Sequence, residues 1–202
     1  MQALRAQGHD LVNFGLGDPD FDTPPHVRLA ASNALEQGLT HYAPTRGTLD
    51  LRLAIAEKLE RENGMRYDPE TEMVVTPGAK QALLEAIVTA VTVGDEVIIF
   101  DPSWGSYDAI VRLAGATPIH VELNDDFSIN AELLFAAINA RTRTIIVGTP
   151  QNPTGHVLSG YELRVLAQVC EQHNLLLVSD EIYERITYGG IVLQSPASMS
   201  GM

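Results

Sequence analysis

Lysine is nearly missing from this chain of 202 residues: only Lys58 and Lys80 occur. Chemistry that needs a covalent amine therefore has two candidates and no more. Cysteine is scarcer still. Cys170 is the only one, which excludes an intrachain disulfide and a Cys-rich metal site. It falls on the apolar face of a predicted helix, where a buried thiol is expected. Basic charge is short as well. Thirteen Lys and Arg against 26 Asp and Glu leave a net charge of −13, which argues against nucleic acid or an anionic membrane as partner. No apolar run approaches the ~20 residues of a membrane-spanning helix. The opening MQALRAQGHD lacks the apolar core of a signal peptide, so a cytoplasmic location is expected. The Gly-x-Ser-x-Gly, GxxxxGK[ST] and GxGxxG patterns are all absent. His26, His41, His120, His156 and His173 are scattered without metal-ligand spacing, so no metal is expected and they read as structural or surface residues.

What is present is alternation. Residues 1 to 22 read as an extended arm with an irregular loop around Asp18-Pro19-Asp20. Thr23 is the expected N-cap of a helix whose first turn holds Pro24 and Pro25 and which Gly38 ends. An amphipathic helix is predicted over 48–63, with Glu57, Lys58, Glu60, Arg61 and Glu62 on a solvated face. From residue 72 strands and helices alternate. Strands are expected at 72–76, 96–100, 117–123, 144–148 and from 175, with helices after Lys80 and near 106–114, 130–140 and 160–173. This is the pattern of βαβ units: an α/β fold of three layers around a mainly parallel sheet. Leu175 to Val178 read as a strand buried on both faces, with whatever pairs beyond it expected to lie outside the chain.

Right-handed crossovers bring the strand ends to one edge of the sheet, where ligands bind in open α/β folds. Gly78-Ala79-Lys80 lies where a strand turns into a helix, which is either an anion-binding helix start or an ordinary helix start with a surface lysine. Trp104, the single tryptophan, is either a packing residue or a face on which an aromatic cofactor stacks. Asn152 is either a turn former or a donor to a ligand oxygen. Asp180 and Tyr183 are either a cap and a packing tyrosine, or a partner for a cation and a phenol aimed at the same ligand.

Taken together, six ordered motifs resemble one family across essentially the whole chain. They are Phe14-Gly-Leu-Gly-Asp-Pro-Asp-Phe21, His41-Tyr-Ala-Pro44, Pro77-Gly-Ala-Lys-Gln81, Pro102-Ser-Trp104, Gln151-Asn-Pro-Thr-Gly155 and Ser179-Asp-Glu-Ile-Tyr183. The chain resembles the amino-terminal half of fold-type I, pyridoxal-phosphate-dependent aminotransferases of class I/II, aspartate and aromatic members included. The resemblance implies an arm and part of a small domain in residues 1–44, and an incomplete large domain in 45–202. It implies that Asp180 pairs with the pyridine nitrogen of pyridoxal 5'-phosphate and that Tyr183 and Asn152 bond its ring oxygen. It also implies that Trp104 stacks on the ring and that Gly78, Ala79 and Lys80 hold the phosphate. Tyr42 would reach the phosphate in the neighbouring subunit of a homodimer, and Gly17 would approach the carboxylate of an amino acid or 2-oxo acid substrate, beside Trp104 and Asn152.

One departure matters. The family's Schiff-base lysine, carried downstream of the aspartate, has no match here, nor does its carboxylate-binding arginine near the carboxyl end. No catalytic residue is therefore expected in this chain, and transamination by it alone is not expected. The alternatives are a pyridoxal-phosphate C–S β-lyase of the same fold, or a remnant that holds the cofactor or serves as an interaction module without catalysis. A transcription regulator with an aminotransferase-like portion is disfavoured, because no DNA-binding segment precedes the motifs.

Overall fold

The computed structural model describes residues 2–12, 17 and 21–199. The motif from Phe14 to Phe21 therefore falls mostly outside the described residues. The chain divides into two compact units, Met1–Ala43 and Pro44–Met202.

The first unit holds α1 (Gln2–Ala6) and α2 (Pro25–Glu36), and no residue of α2 is buried. The N-cap of α2 is Pro24 rather than the expected Thr23. Pro25 takes the first helical position, where its missing N–H would have had no partner anyway. Gly38, at φ +75°, turns the chain away after the C-cap.

In the second unit α3 (Leu49–Lys58) runs into a π-helical turn, Leu59–Asn63, which Gly64 ends in a left-handed conformation. The expected helix over 48–63 is thus one element in two geometries. Its charged face is not simply solvated. Lys58 is only 29% exposed and reaches Glu184 at 2.5 Å, beside Asn63 at 2.8 Å.

The predicted strand at 72–76 does not form. Met73 is buried, but Val75 makes a single backbone bond, its N–H to the Arg46 carbonyl, and no ladder follows. The preceding stretch is held by side chains instead: Arg52 donates to the Pro69 carbonyl and Arg46 to that of Glu70. Gly47, between these arginines, sits at φ +91°, and a Cβ there would lie 2.8 Å from the Val75 side chain.

The sheet has four parallel strands in the order β2-β1-β3-β4: β1 (Glu96–Asp101), β2 (Thr117–Glu122), β3 (Thr142–Gly148) and β4 (Leu176–Asp180). The helices α4 (Ala79–Ala90), α5 (Ser106–Leu113), α6 (Ala131–Ala137) and α7 (Gly160–His173) complete the unit. Alternation sorts the strand side chains into two cores. Val97, Ile99 and Ile146 pack with Leu83 and Ile87 of α4 and Ile110 and Val111 of α5. Ile98, Phe100, Ile145 and Val147 pack with Leu134 of α6 and Leu163, Leu166 and Val169 of α7. A sheet covered on both faces is the three-layer α/β arrangement the alternation predicts. Cys170 is buried in the second core, and burial pushes its thiol up to about 11.

Two boundaries differ in informative ways. Helix α6 stops at Ala137 instead of 140, because the Asn139 amide donates to Glu96 and its backbone N–H is taken by Thr142 Oγ1. Among the described residues, strand β4 is paired on one side only. Its residues are half-buried and Leu176 is 50% exposed, so it is an edge strand in this chain rather than one buried on both faces.

Candidate functional site

The strand order fixes where a site can be. From β1 the chain crosses to β2 on one side, then returns past β1 to β3 on the other. The reversal opens a crevice between the carboxyl ends of β1 and β3, the position where ligands bind in such sheets. The β1 exit carries Pro102, Ser103 and Trp104, the β3 exit carries Gln151 and Asn152, and β4 delivers Asp180. The amino end of α4 contributes Gly78, Ala79 and Lys80, on a helix that packs against both α5 and β4.

Three of these groups, with Tyr107 of α5, form a chain of contacts. The Lys80 ammonium lies 5.0 Å from the Trp104 ring centre, within cation–π range. Trp104 meets Tyr107 edge to face, with centroids 5.6 Å apart and planes at 88°. The Tyr107 hydroxyl donates to Asp180 Oδ2 at 2.8 Å, and the Ile182 N–H donates to Oδ1 at 3.2 Å. Asp180 thus ends β4 with both oxygens oriented, and it takes part in no ion pair among the described residues. Tyr107 is buried, and burial with the facing carboxylate holds its phenol protonated far above the ordinary value. Gly78, at φ +85°, is the N-cap of α4, and the first N–H groups of the helix point past it.

Asn152 is half-buried, and its amide bonds no other described residue. Its loop is braced from behind. Glu162 is 1% exposed and accepts from Ser159 in a capping box, from His156 Nε2 at 2.9 Å and from the Ile129 N–H at 2.9 Å. Burial alone would raise this carboxyl, but those donors outweigh it and hold it at about 2. The bond to Glu162 in turn raises His156, against a smaller lowering by burial. On the other flank His120 bridges Asp101 at 2.9 Å and Asp108 at 3.0 Å, joining the two ends of the Trp104 loop. Burial lowers His120, but the two carboxylates prevail and raise it.

Tyr183 follows Asp180 at the same exit and is 37% exposed. Tyr42 and Gly17 lie in the other unit, both exposed to solvent. Of the residues singled out in the sequence, the structure therefore gathers Lys80, Trp104, Asn152, Asp180 and Tyr183 with the α4 start at one edge. Tyr107 and Gln151 were missed. The first had a legible signal, since Trp104 and Tyr107 stand three apart at a helix start and share a side.

Chemically, the edge offers a carboxylate, an aromatic face, an amide, a cation and free helical N–H groups. That donor set suits a flat heteroaromatic with a basic ring nitrogen, a ring oxygen and an anionic arm. Replacing Tyr107 with phenylalanine removes the only side-chain donor to Asp180 among the described residues. Since Asp180 is half-exposed, the expected loss is about 1–2 kcal/mol, below the range for a fully buried bond to a charged group. A lower urea midpoint at unchanged slope checks it, and wild-type stability would show that the bond contributes nothing.

Comparisons with known proteins bear on the family and the fold. A family model described as aminotransferase class I and II matches residues 9–200. The aspartate aminotransferase of Geobacillus stearothermophilus is 44% identical over 98% of this chain and 50% of its own length. Aromatic-amino-acid aminotransferase 2 of Thermococcus litoralis is 40% identical over 98% of this chain and 51% of its own. The solved aspartate aminotransferase of Thermus thermophilus with maleate superposes with a TM-score of 0.92 at 45% identity, covering 98% of this chain and 52% of that one. The chain thus spans about half the length of the relatives it matches.

Proposed function

The chain belongs to the class I and II aminotransferase family, and from that premise we propose that its sheet edge is the cofactor-holding part of a pyridoxal-phosphate site. The observation that carries the reading is the oriented Asp180 carboxylate, fixed by Tyr107 and lacking a cation among the described residues, beside the Trp104 ring. When bound, pyridoxal phosphate supplies an electron sink for bond breaking at an amino acid's α-carbon.

This chain's residues bind and orient. Asp180 holds a proton on the ring nitrogen, and Tyr107 keeps the carboxylate aimed at it. Trp104 covers one face of the ring and excludes water from it. Asn152 and Tyr183 donate to the ring oxygen, while Gly78, Ala79 and Lys80 receive the phosphate. Tyr42 serves the neighbouring subunit of a homodimer, and Gly17 approaches the substrate carboxylate. Residues 1–44 are the arm and part of the small domain, and 45–202 the first portion of the large one. The activity served is transfer of an amino group between an amino acid and a 2-oxo acid.

These 202 residues alone are not expected to turn over. Lys58 is tied to Glu184, and Lys80 sits over Trp104 at the phosphate end, so neither is placed to act as the covalent lysine and proton carrier. Incubation with pyridoxal phosphate, aspartate and 2-oxoglutarate should give cofactor-dependent quenching of Trp104 and no glutamate. Turnover that survives Lys80→Ala would overturn the inactive reading, and the absence of quenching would overturn the binding one.

A further inference from the structure

One side chain joins the two loops that flank the crevice. Gln151 is buried, and its Nε2 donates across the crevice to the Pro102 carbonyl at 2.8 Å. Its Oε1 accepts from Thr154 Oγ1 at 2.6 Å. Its backbone closes its own loop, the N–H donating to the His156 carbonyl at 2.8 Å and the carbonyl accepting from Gly155 at 2.7 Å. The residue also sits close over the end of β3. A Cβ placed on Gly148 would lie 3.5 Å from Gln151 Cα and 3.1 Å from the Tyr107 hydroxyl.

The chemistry of the link is specific. A carboxamide offers a donor and an acceptor at one uncharged end. Glutamate has the same shape but would set a carboxylate against the Pro102 carbonyl. Methionine fills the space and offers neither bond. Trp104 stands two residues beyond Pro102, and Asn152 adjoins Gln151. The two ligand-facing groups therefore hang from opposite ends of a single amide bridge.

We propose that Gln151 is a positioning residue that sets the spacing between the Trp104 ring and the Asn152 amide, so that a flat heteroaromatic and its ring oxygen are engaged together. The proposal rests on the cofactor reading above. Without the bridge each loop still forms, since β1 and β3 keep their ladder, but the two groups no longer approach one ligand in register.

The test titrates the full chain, Gln151→Met and Gln151→Glu with pyridoxal phosphate and with an analogue lacking the ring hydroxyl. Circular dichroism confirms folding, and Thr154→Val serves as a control that leaves the bond to Pro102 in place. The wild type should prefer pyridoxal phosphate. Both Gln151 variants should lose about tenfold in affinity for it, the worth of one well-placed hydrogen bond, together with most of the preference over the analogue. Acrylamide quenching of Trp104 without ligand should rise in both. Equal losses for the two ligands, with the preference intact, would mark a purely structural role and overturn the proposal. A wild type that binds neither ligand sinks the cofactor reading but leaves this link to the quenching measurement, where values unchanged in the variants overturn it. If Gln151→Met does not fold, Gln151→Glu decides by the same criteria.

Discussion

Asp180→Ala should lower the affinity for pyridoxal phosphate by about tenfold to a hundredfold. An ion pair at ~4 Å and an effective dielectric of ~20 is worth about 4 kcal/mol. Asp180 is half-buried, so solvent screening leaves about 1.4–2.8 kcal/mol of that, which is the stated range in affinity. Asp180→Asn is the sharper variant. It preserves shape and an acceptor for Tyr107 but removes the charge, so it should follow alanine and not the wild type. Titration calorimetry separates the cases. An asparagine variant with wild-type affinity would mean that the carboxylate does not face a ring cation.

Glu162→Ala should cost about 3–5 kcal/mol, the range for removing one partner from a buried charged pair. The loss strands the His156 ring, the Ile129 N–H and the Ser159 cap at once. It is a large fraction of the 5–15 kcal/mol that holds a typical domain. The pH dependence has a definite sign on each limb. Glu162 is depressed from 4.5 to about 2, so its contribution is full above pH 4.5 and is lost as pH falls through about 2. His156 is raised above 6.5, so its contribution is full below pH 6.5 and is lost as pH rises through the folded value. The stability difference between wild type and Glu162→Gln should therefore peak between pH 4.5 and 6.5. Urea melts across both limbs check this, and a flat difference would sink it.

Much of the large unit could be read from the chain before its structure. Within Glu96–Phe100 and Thr144–Gly148, Val97–Phe100 and Ile145–Val147 are continuously apolar because strands with helices on both faces have no solvent side, and both are central strands. Helix α7 begins and ends where its pattern says, with Ser159 and Glu162 spaced as a capping box. The stretch around Met73, Val74 and Val75 misled for the opposite reason. It has strand composition, but a ladder needs a neighbour, and composition cannot supply one. The π-helical turn was illegible because side-chain spacing barely changes over a single turn. At the site, motifs pointed to residues that the proposed reading turns toward a ligand. Gln151 and Tyr107 face inward, to Pro102 and Asp180, and bonds between segments some 50 and 70 residues apart leave no periodic trace.

The outer rim of β4 has a further consequence, for the behaviour of the chain in solution. Backbone donors and acceptors along that rim have no neighbouring strand among the described residues, and Leu176 and Ile182 are exposed nearby. Such a rim is a template onto which another extended segment can add. The surplus of 13 negative charges opposes its use between copies, because like-charged molecules repel before their edges can meet. That repulsion acts over about 10 Å at 0.1 M salt and shrinks as salt rises. The acidic surplus thus acts as a colloidal guard on this rim.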